Sequence, residues 1–251
     1  MPQIPAEHLI GLAIPLTYAV LVAIERCSGT GWRWPPQRGW ELLGVLCFTM
    51  QALVNGLVSN ISSVLLPGVH LFDAMQLGIA GSIVVGFLLQ TFGNALLHRA
   101  YHRSDVLWRW AHQVHHAPAR TSVAGVMVQS PLEMLLSAIL FLTVTRLVLG
   151  LDPVATMACA WLASFYGMFQ HGNFHTPRWL GWLIQRPEQH CEHHRRGVHA
   201  GNYSDFPIWD FCWGGFSNPT DFAGEIGFEP DARKRVLDML AGRDVQHPHR
   251  V

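Results

Sequence analysis

The stretch from His98 to His116, HRAYHRSDVLWRWAHQVHH, most narrows what this chain can fold into. Five histidines stand in it at helical spacing: His98 and His102 are four apart, and His112, His115 and His116 follow as i, i+3 and i+4. Residues three or four apart share one helix face, and neutral imidazole is the commonest protein ligand for metals near neutral pH. One such pair is equally well an ordinary polar face, but the pattern repeats. His171 and His175 are again i, i+4, and His190, His193 and His194 copy the spacing of 112, 115 and 116. These ten of the fifteen histidines are the expected metal ligands. A single zinc takes about four ligands, so ten nitrogens suit two ions with about five each. Imidazole accommodates iron, copper, zinc and nickel alike, and the ligand type leaves the metal open.

The setting is apolar. Half the chain is hydrophobic and 14% is charged, against about 25% charged in ordinary soluble domains. Apolar segments at 8–24, 40–58, 74–97, 131–149 and 154–170 are each near the length that spans a bilayer. An all-α integral membrane protein with 4–5 transmembrane helices is expected, with a cytosolic helical cap that holds a dimetal site. The organisation reads as membrane spans over 1–73, a histidine-box domain over 74–220 and a C-terminal tail over 221–251. The first segment lacks the preceding Lys or Arg and the clean cleavage site of a signal peptide, so it reads as a retained span. All but one of the seventeen Lys and Arg residues fall in 25–39, 98–130 and the tail from 171. Five spans with the N-terminus outside then put the clustered histidines and the C-terminus in the cytoplasm, with Arg146 snorkelling at the far side. Sixteen Arg against one Lys, with abundant Ala, Gly and Trp, suggests a GC-rich bacterial genome and hence an inner membrane.

Other features exclude function classes. The formal net charge is zero, which gives no electrostatic case for nucleic acid. Five scattered cysteines form no CxxC pair, so neither a disulfide framework nor a zinc ribbon is expected. Cys191, one residue after His190, points to a different helix face. His8, His70, His247 and His249 are isolated and read as non-ligands, and His199 reads either as a loop residue or as a partner of a ligand. Glu192 is the only acid within a box, unlike the carboxylate-rich soluble di-iron bundles. Ring nitrogens not on metal need acceptors, for which Asn173, Asp205, Asp210 and Glu192 are candidates. Trp32, Trp34, Trp40, Trp179 and Trp182 flank apolar spans as interfacial anchors would.

In their order, HRAYH, HQVHH and HCEHH resemble the HxxxH, HxxHH and HxxHH boxes of the fatty acid hydroxylase and sterol desaturase superfamily. QHGNFHTP and the stretch NYSDFPIWDFCWGGF from Asn202 to Phe216 are also similar to that family, and the resemblance runs over roughly residues 75 to 220. It implies a helical membrane anchor under a cap with two iron ions, which zinc can replace on expression. O2 would be co-substrate for hydroxylation or desaturation of unactivated C–H bonds in lipids. The implied ligands are His98, His102, His112, His115, His116, His171, His175, His190, His193 and His194, and the dimetal centre itself is the catalytic group. Two departures stand out: Gly214-Gly215 occupies the place of a common Gly-Thr pair, and no cytochrome b5 domain is fused. The second implies a separate electron-transfer protein of cytochrome b5, ferredoxin or flavoprotein type.

Three function classes follow: a membrane lipid hydroxylase first, a lipid or sterol desaturase second, and a non-catalytic metal-binding membrane protein third. A transporter would want ionisable residues at mid-membrane, where these spans have almost none. Fatty acyl chains, sterols or hopanoids, carotenoids, aminolipid headgroups and alkylglycerols all stay open as substrates.

Overall fold

A computed structural model describes residues 4–28, 31–37 and 39–246. Arg38, His247 and His249 lie outside the described residues. The chain runs through α1 (Ala6–Ser28), α2 (Trp40–Leu65), a 3-10 turn (Ala74–Leu77), α3 (Gly78–Arg103), α4 (Asp105–Leu107), a π-helical turn (Trp108–His112) and α5 (Gln113–His116). Then come α6 (Pro131–Leu142), which runs on through a second π-helical turn (Thr143–Val148), α7 (Pro153–His171), α8 (Pro187–His193), α9 (Ile208–Trp213) and α10 (Val236–Leu240). Among the described residues there is no strand, only an isolated bridge between Arg195 and Ile226.

Local chemistry sets the starts of two long helices. Ser130 Oγ accepts from the Glu133 amide and Asp152 Oδ1 from the Ala155 amide, each followed by proline at the first helical position. A side-chain acceptor at the cap and a proline that needs no donor together favour helix initiation there.

Among the described residues four helices are long and apolar enough to cross a membrane: Ala6–Ser28, Trp40–Leu65, Ala74–Arg103 and Pro131–Val148. The fifth expected span, α7, is not among them, because Thr156, Ser164, Tyr166, Gln170 and His171 dilute its apolar content. It nevertheless packs along both α1 and α3, in the interior of the bundle. Small residues make that approach close: a Cβ on Gly86 of α3 would come within 2.9 Å of the Cys159 sulfur of α7.

The five long helices alternate in direction. At one end the Glu25 carboxylate of α1 accepts from the Asn173 amide just after α7 and from the Val123 amide. At the other, the amides of Leu71 and Phe72 donate to the carbonyls of Leu147 and Val148. There Arg146 donates to Ser62 Oγ at 3.2 Å. The C-terminal ends of α3 and α7, which carry His98, His102 and His171, therefore lie on the same side as the cap.

Three of the five expected interfacial tryptophans have another role. Trp40 is 4% exposed and donates its indole N–H to Ser122 Oγ, while Trp32 donates to the Phe222 carbonyl and packs with Trp34 on Cys191, Phe222 and Ile226. They belong to the cores of the cap: the indole N–H groups of Trp32 and Trp40 find acceptors inside it, and that of Trp34 is buried without one. Trp179 and Trp182 are exposed, as anchors would be.

Candidate metal centre

The stretch His98–His116 is not one helix. Arg103 ends α3, Ser104 Oγ caps α4, and the π-helical turn delivers His112 ahead of α5. The break folds the second histidine box back over the first, so that His112 packs edge-on against both His98 and His102, with ring centroids 4.8 Å apart in each case.

Nine of the ten expected ligands converge in two groups. His98, His102, His112, His116 and His193 form one; His115, His171, His190 and His194 form the other, each with its donor atoms within 4.8 Å of one another. The HxxHH spacing explains the division. In each such box the i, i+4 pair serves one group and the i+3 histidine turns to the other: 112 and 116 against 115, 190 and 194 against 193. The two boxes thus cross over, and the rings of His116 and His194 stack at 4.1 Å between the groups.

The donor set fits metal ions. Carbonyl oxygens can only accept, so His98, His193 and His171 must carry their protons on Nδ1, donating to Tyr203, Gly201 and Gly167 at 2.8, 2.7 and 2.7 Å. Their Nε2 atoms are then bare lone pairs. Yet His171 Nε2 lies 2.9 Å from His190 Nε2 and 3.1 Å from His115 Nε2, and His116 Nε2 lies 3.0 and 3.1 Å from those of His112 and His193. Two nitrogens bound at about 2.1 Å and at right angles on one ion stand about 3.0 Å apart. The Nε2 atoms of His98 and His102 are buried with no hydrogen-bond partner, as lone pairs reserved for a cation would be. Burial first, and neighbouring imidazoles next, hold His112, His115, His116, His190, His193 and His194 well below the ordinary imidazole range, so these rings are neutral.

His175 is a correction. Its ring sits edge-on to Trp32 at 4.5 Å, with Nδ1 3.4 Å from Asp221 and 3.7 Å from Glu188, away from both groups. Gly172 ends α7 one residue after His171, so the helical i, i+4 relation to His175 is never formed. His199 takes an orienting place instead, buried, with its Nδ1 3.0 Å from that of His116.

The acceptors differ from those expected. Asn173 bonds the Trp32 backbone, Glu192 pairs with Arg195, and Asp210 binds the amides of Tyr203 and Ser204, steadying the loop that accepts from His98. The carboxylate that reaches a ligand is Glu133, whose Oε1 lies 2.7 Å from His112 Nδ1, both side chains being buried. In sequence Ser130-Pro-Leu-Glu133 looks like an ordinary capping box, which hides this role. Glu133→Gln is expected to lower metal affinity about 10–100-fold, the usual cost of losing such a partner. Metal retained per chain after chelator dialysis measures it, and wild-type retention would refute the role.

Asp205 is buried, accepting from Asn94 and Gln170, and burial pushes its carboxyl up to about 6. A carboxyl raised in the fold is stabilising while protonated, so its contribution is complete below about pH 4 and is lost as pH rises through 6. The difference in unfolding free energy between wild type and Asp205→Asn, read from melting curves, is expected to move against wild type over that window, by on the order of 3 kcal/mol in all. A pH-independent difference would contradict it.

Residues 83–215 match the family described as Fatty acid hydroxylase, a span that holds every histidine of both groups. The chain belongs to that family. A relative is the ornithine lipid hydroxylase OlsE of Rhizobium tropici, 26% identical over 179 residues, which cover 66% of this chain and 51% of the relative. The chain thus spans about half the length of the curated relative it matches. No solved structure matches it.

Two further features of this chain were not legible in sequence. Arg186 is fully buried ahead of α8: its guanidinium donates to Thr176 Oγ1, the Thr176 carbonyl, Asn218 Oδ1 and the Pro219 carbonyl, and pairs with Glu188 at 3.0 Å. It ties the loops after α7 and α9 to the helix that carries His190 and His193. A surface pocket of about 250 Å³, lined by His102, Asp105, Trp108, His199 and Asp244 among others, opens beside the five-histidine group.

Proposed function

We propose that this chain is a membrane-bound di-iron oxygenase that hydroxylates an unactivated C–H bond of a lipid, using O2 and electrons from a separate donor protein. The observation that carries it is the division of nine buried or half-buried histidines into two adjacent groups in a chain of the fatty acid hydroxylase family. Iron held there would supply the O2 and C–H redox chemistry that protein side chains lack.

The chain's own residues hold and aim. Five histidines would hold one ion and four the other. Tyr203, Gly201 and Gly167 carbonyls lock the ring tautomers, Glu133 braces His112, and burial keeps bulk water from the groups. The apolar helices bring a lipid from the bilayer side. The pocket at His102 and Trp108 is lined otherwise by residues of the cap and suits a water-soluble electron donor.

The basic residues support placing the site in the cytoplasm: among the described residues, every Lys and Arg but Arg146 lies in a segment at the site end. For a bacterial chain the membrane is then the inner one.

Lipid mass spectrometry of cells that express the chain, grown with and without 18O2, tests the proposal. A product heavier by one oxygen, labelled from O2, is expected. A product lighter by two hydrogens would instead make the chain a desaturase, and no product in the presence of bound iron and a competent donor would overturn the oxygenase reading.

A further inference from the structure

Along α3, Gln90, Asn94, His98 and His102 succeed one another at intervals of four, so a polar stripe that starts in mid-span runs on one face into the metal centre. Asp205 comes down onto this stripe from the cap. Its Oδ2 accepts from Asn94 Nδ2 at 3.2 Å and its Oδ1 from Gln170 Nε2 at 2.9 Å, Gln170 being the residue before His171 on α7. Asp205 is 6% exposed, and among the described residues no Lys, Arg or His forms an ion pair with it. The side-chain oxygens of Gln90 and Gln170, residues 7% and 9% exposed, are buried without a hydrogen-bond partner.

Every unmet valence here is therefore an acceptor: a carboxylate without a counter-charge and two amide oxygens. Asn94 is four residues, about one helical turn and about 6 Å along the axis, from His98. A buried carboxylate and orphaned acceptors are costly unless something donates to them. The complement is a compact cation with several N–H donors that arrives from the bilayer.

We propose that Asp205, with Gln170, Asn94 and Gln90, binds the ammonium group of the substrate lipid, which is thus an aminolipid. This rests on the lipid-hydroxylase reading above and deepens it. The ammonium is anchored one turn below the metal ligands, which places the carbons next to it, rather than a distant acyl terminus, at the metal centre. Asp205 also shares its loop with Tyr203, the acceptor for His98, so lipid binding and ligand orientation meet in one segment.

The test uses the full chain with its metals in nanodiscs, titrated with a long-chain N-acyl ornithine that has a free side-chain amine, and with the same lipid after acetylation of that amine. Wild type is expected to bind the free amine about tenfold or more tightly than the acetylated lipid, the scale of a buried charge-assisted contact. Asp205→Asn is expected to bring the two within about twofold while keeping its bound metal, and Gln170→Leu to narrow the preference with the carboxylate intact. If Asp205→Asn does not fold, the wild-type pair and Gln170→Leu decide. Equal binding of the two lipids by wild type overturns the proposal. So does a preference that survives Asp205→Asn, including the case in which that variant only melts lower, which would make the cluster a latch between α3 and α7. A wild type that oxygenates a neutral lipid without ammonium preference sinks this site and leaves the hydroxylase reading standing. Ammonium preference without any O2-dependent product does the reverse.

Discussion

A His193→Ala, His194→Ala variant is expected to lose more than about 100-fold in metal affinity and to form no oxidised lipid, while the long helices still insert. The size of the effect follows from the crossing of the boxes. His193 belongs to the five-histidine group and His194 to the four-histidine group, so this adjacent pair strikes both at once. A group reduced to three nitrogens keeps neither its count nor its geometry, and removal of a mere orienting partner already costs about 10–100-fold. His175→Ala is the control: its ring lies against Trp32 and outside both groups, so metal content should stay at the wild-type level. Metal per chain by elemental analysis, read beside the lipid profile, checks both. Wild-type metal content in the double variant, or loss of metal in His175→Ala, would refute the assignment.

Arg186→Ala is expected to be the most destabilising single change in the cap, at about 3–5 kcal/mol, the cost of leaving a buried partner uncompensated. Glu188 is 1% exposed and would keep the amide and hydroxyl of Thr176 but lose its cation, and Asn218 and Pro219 would lose the donor that holds them. For a chain of this size that corresponds to roughly 10 °C or more in melting temperature. An Arg186→Met, Glu188→Gln variant should recover a large part of the loss, because no unpaired charge is then left inside. Thermal melting in detergent of wild type, single and double variants gives the comparison. A single variant within about 1 kcal/mol of wild type would show that the network is dispensable.

Much of the fold was legible because membrane insertion is a constraint on composition. A helix that crosses hydrocarbon needs about twenty apolar residues in succession, and four of the five expected segments appear as such helices, starting within two residues of the expected positions though two run on six or seven residues further. The fifth was harder for the same reason: α7 is covered by α1 and α3, so it tolerates polar residues that a lipid-facing helix would not. The tryptophans show the opposite failure. Trp32, Trp34 and Trp40 flank spans in sequence, but their surroundings are protein, which linear position does not reveal.

What the sequence determined by itself is the family, the helical membrane class and a set of ten candidate histidines, of which nine meet, because spacing of three and four sets the geometry within any one helix. Only the tertiary structure decided how those nine divide into five and four, that His175 stands outside and His199 within, and that Glu133 rather than Glu192 braces a ligand. The physical reason is distance along the chain. His98, His116, His171 and His193 become neighbours only when α3, α5, α7 and α8 pack, and packing depends on side chains from the whole molecule that no local pattern records.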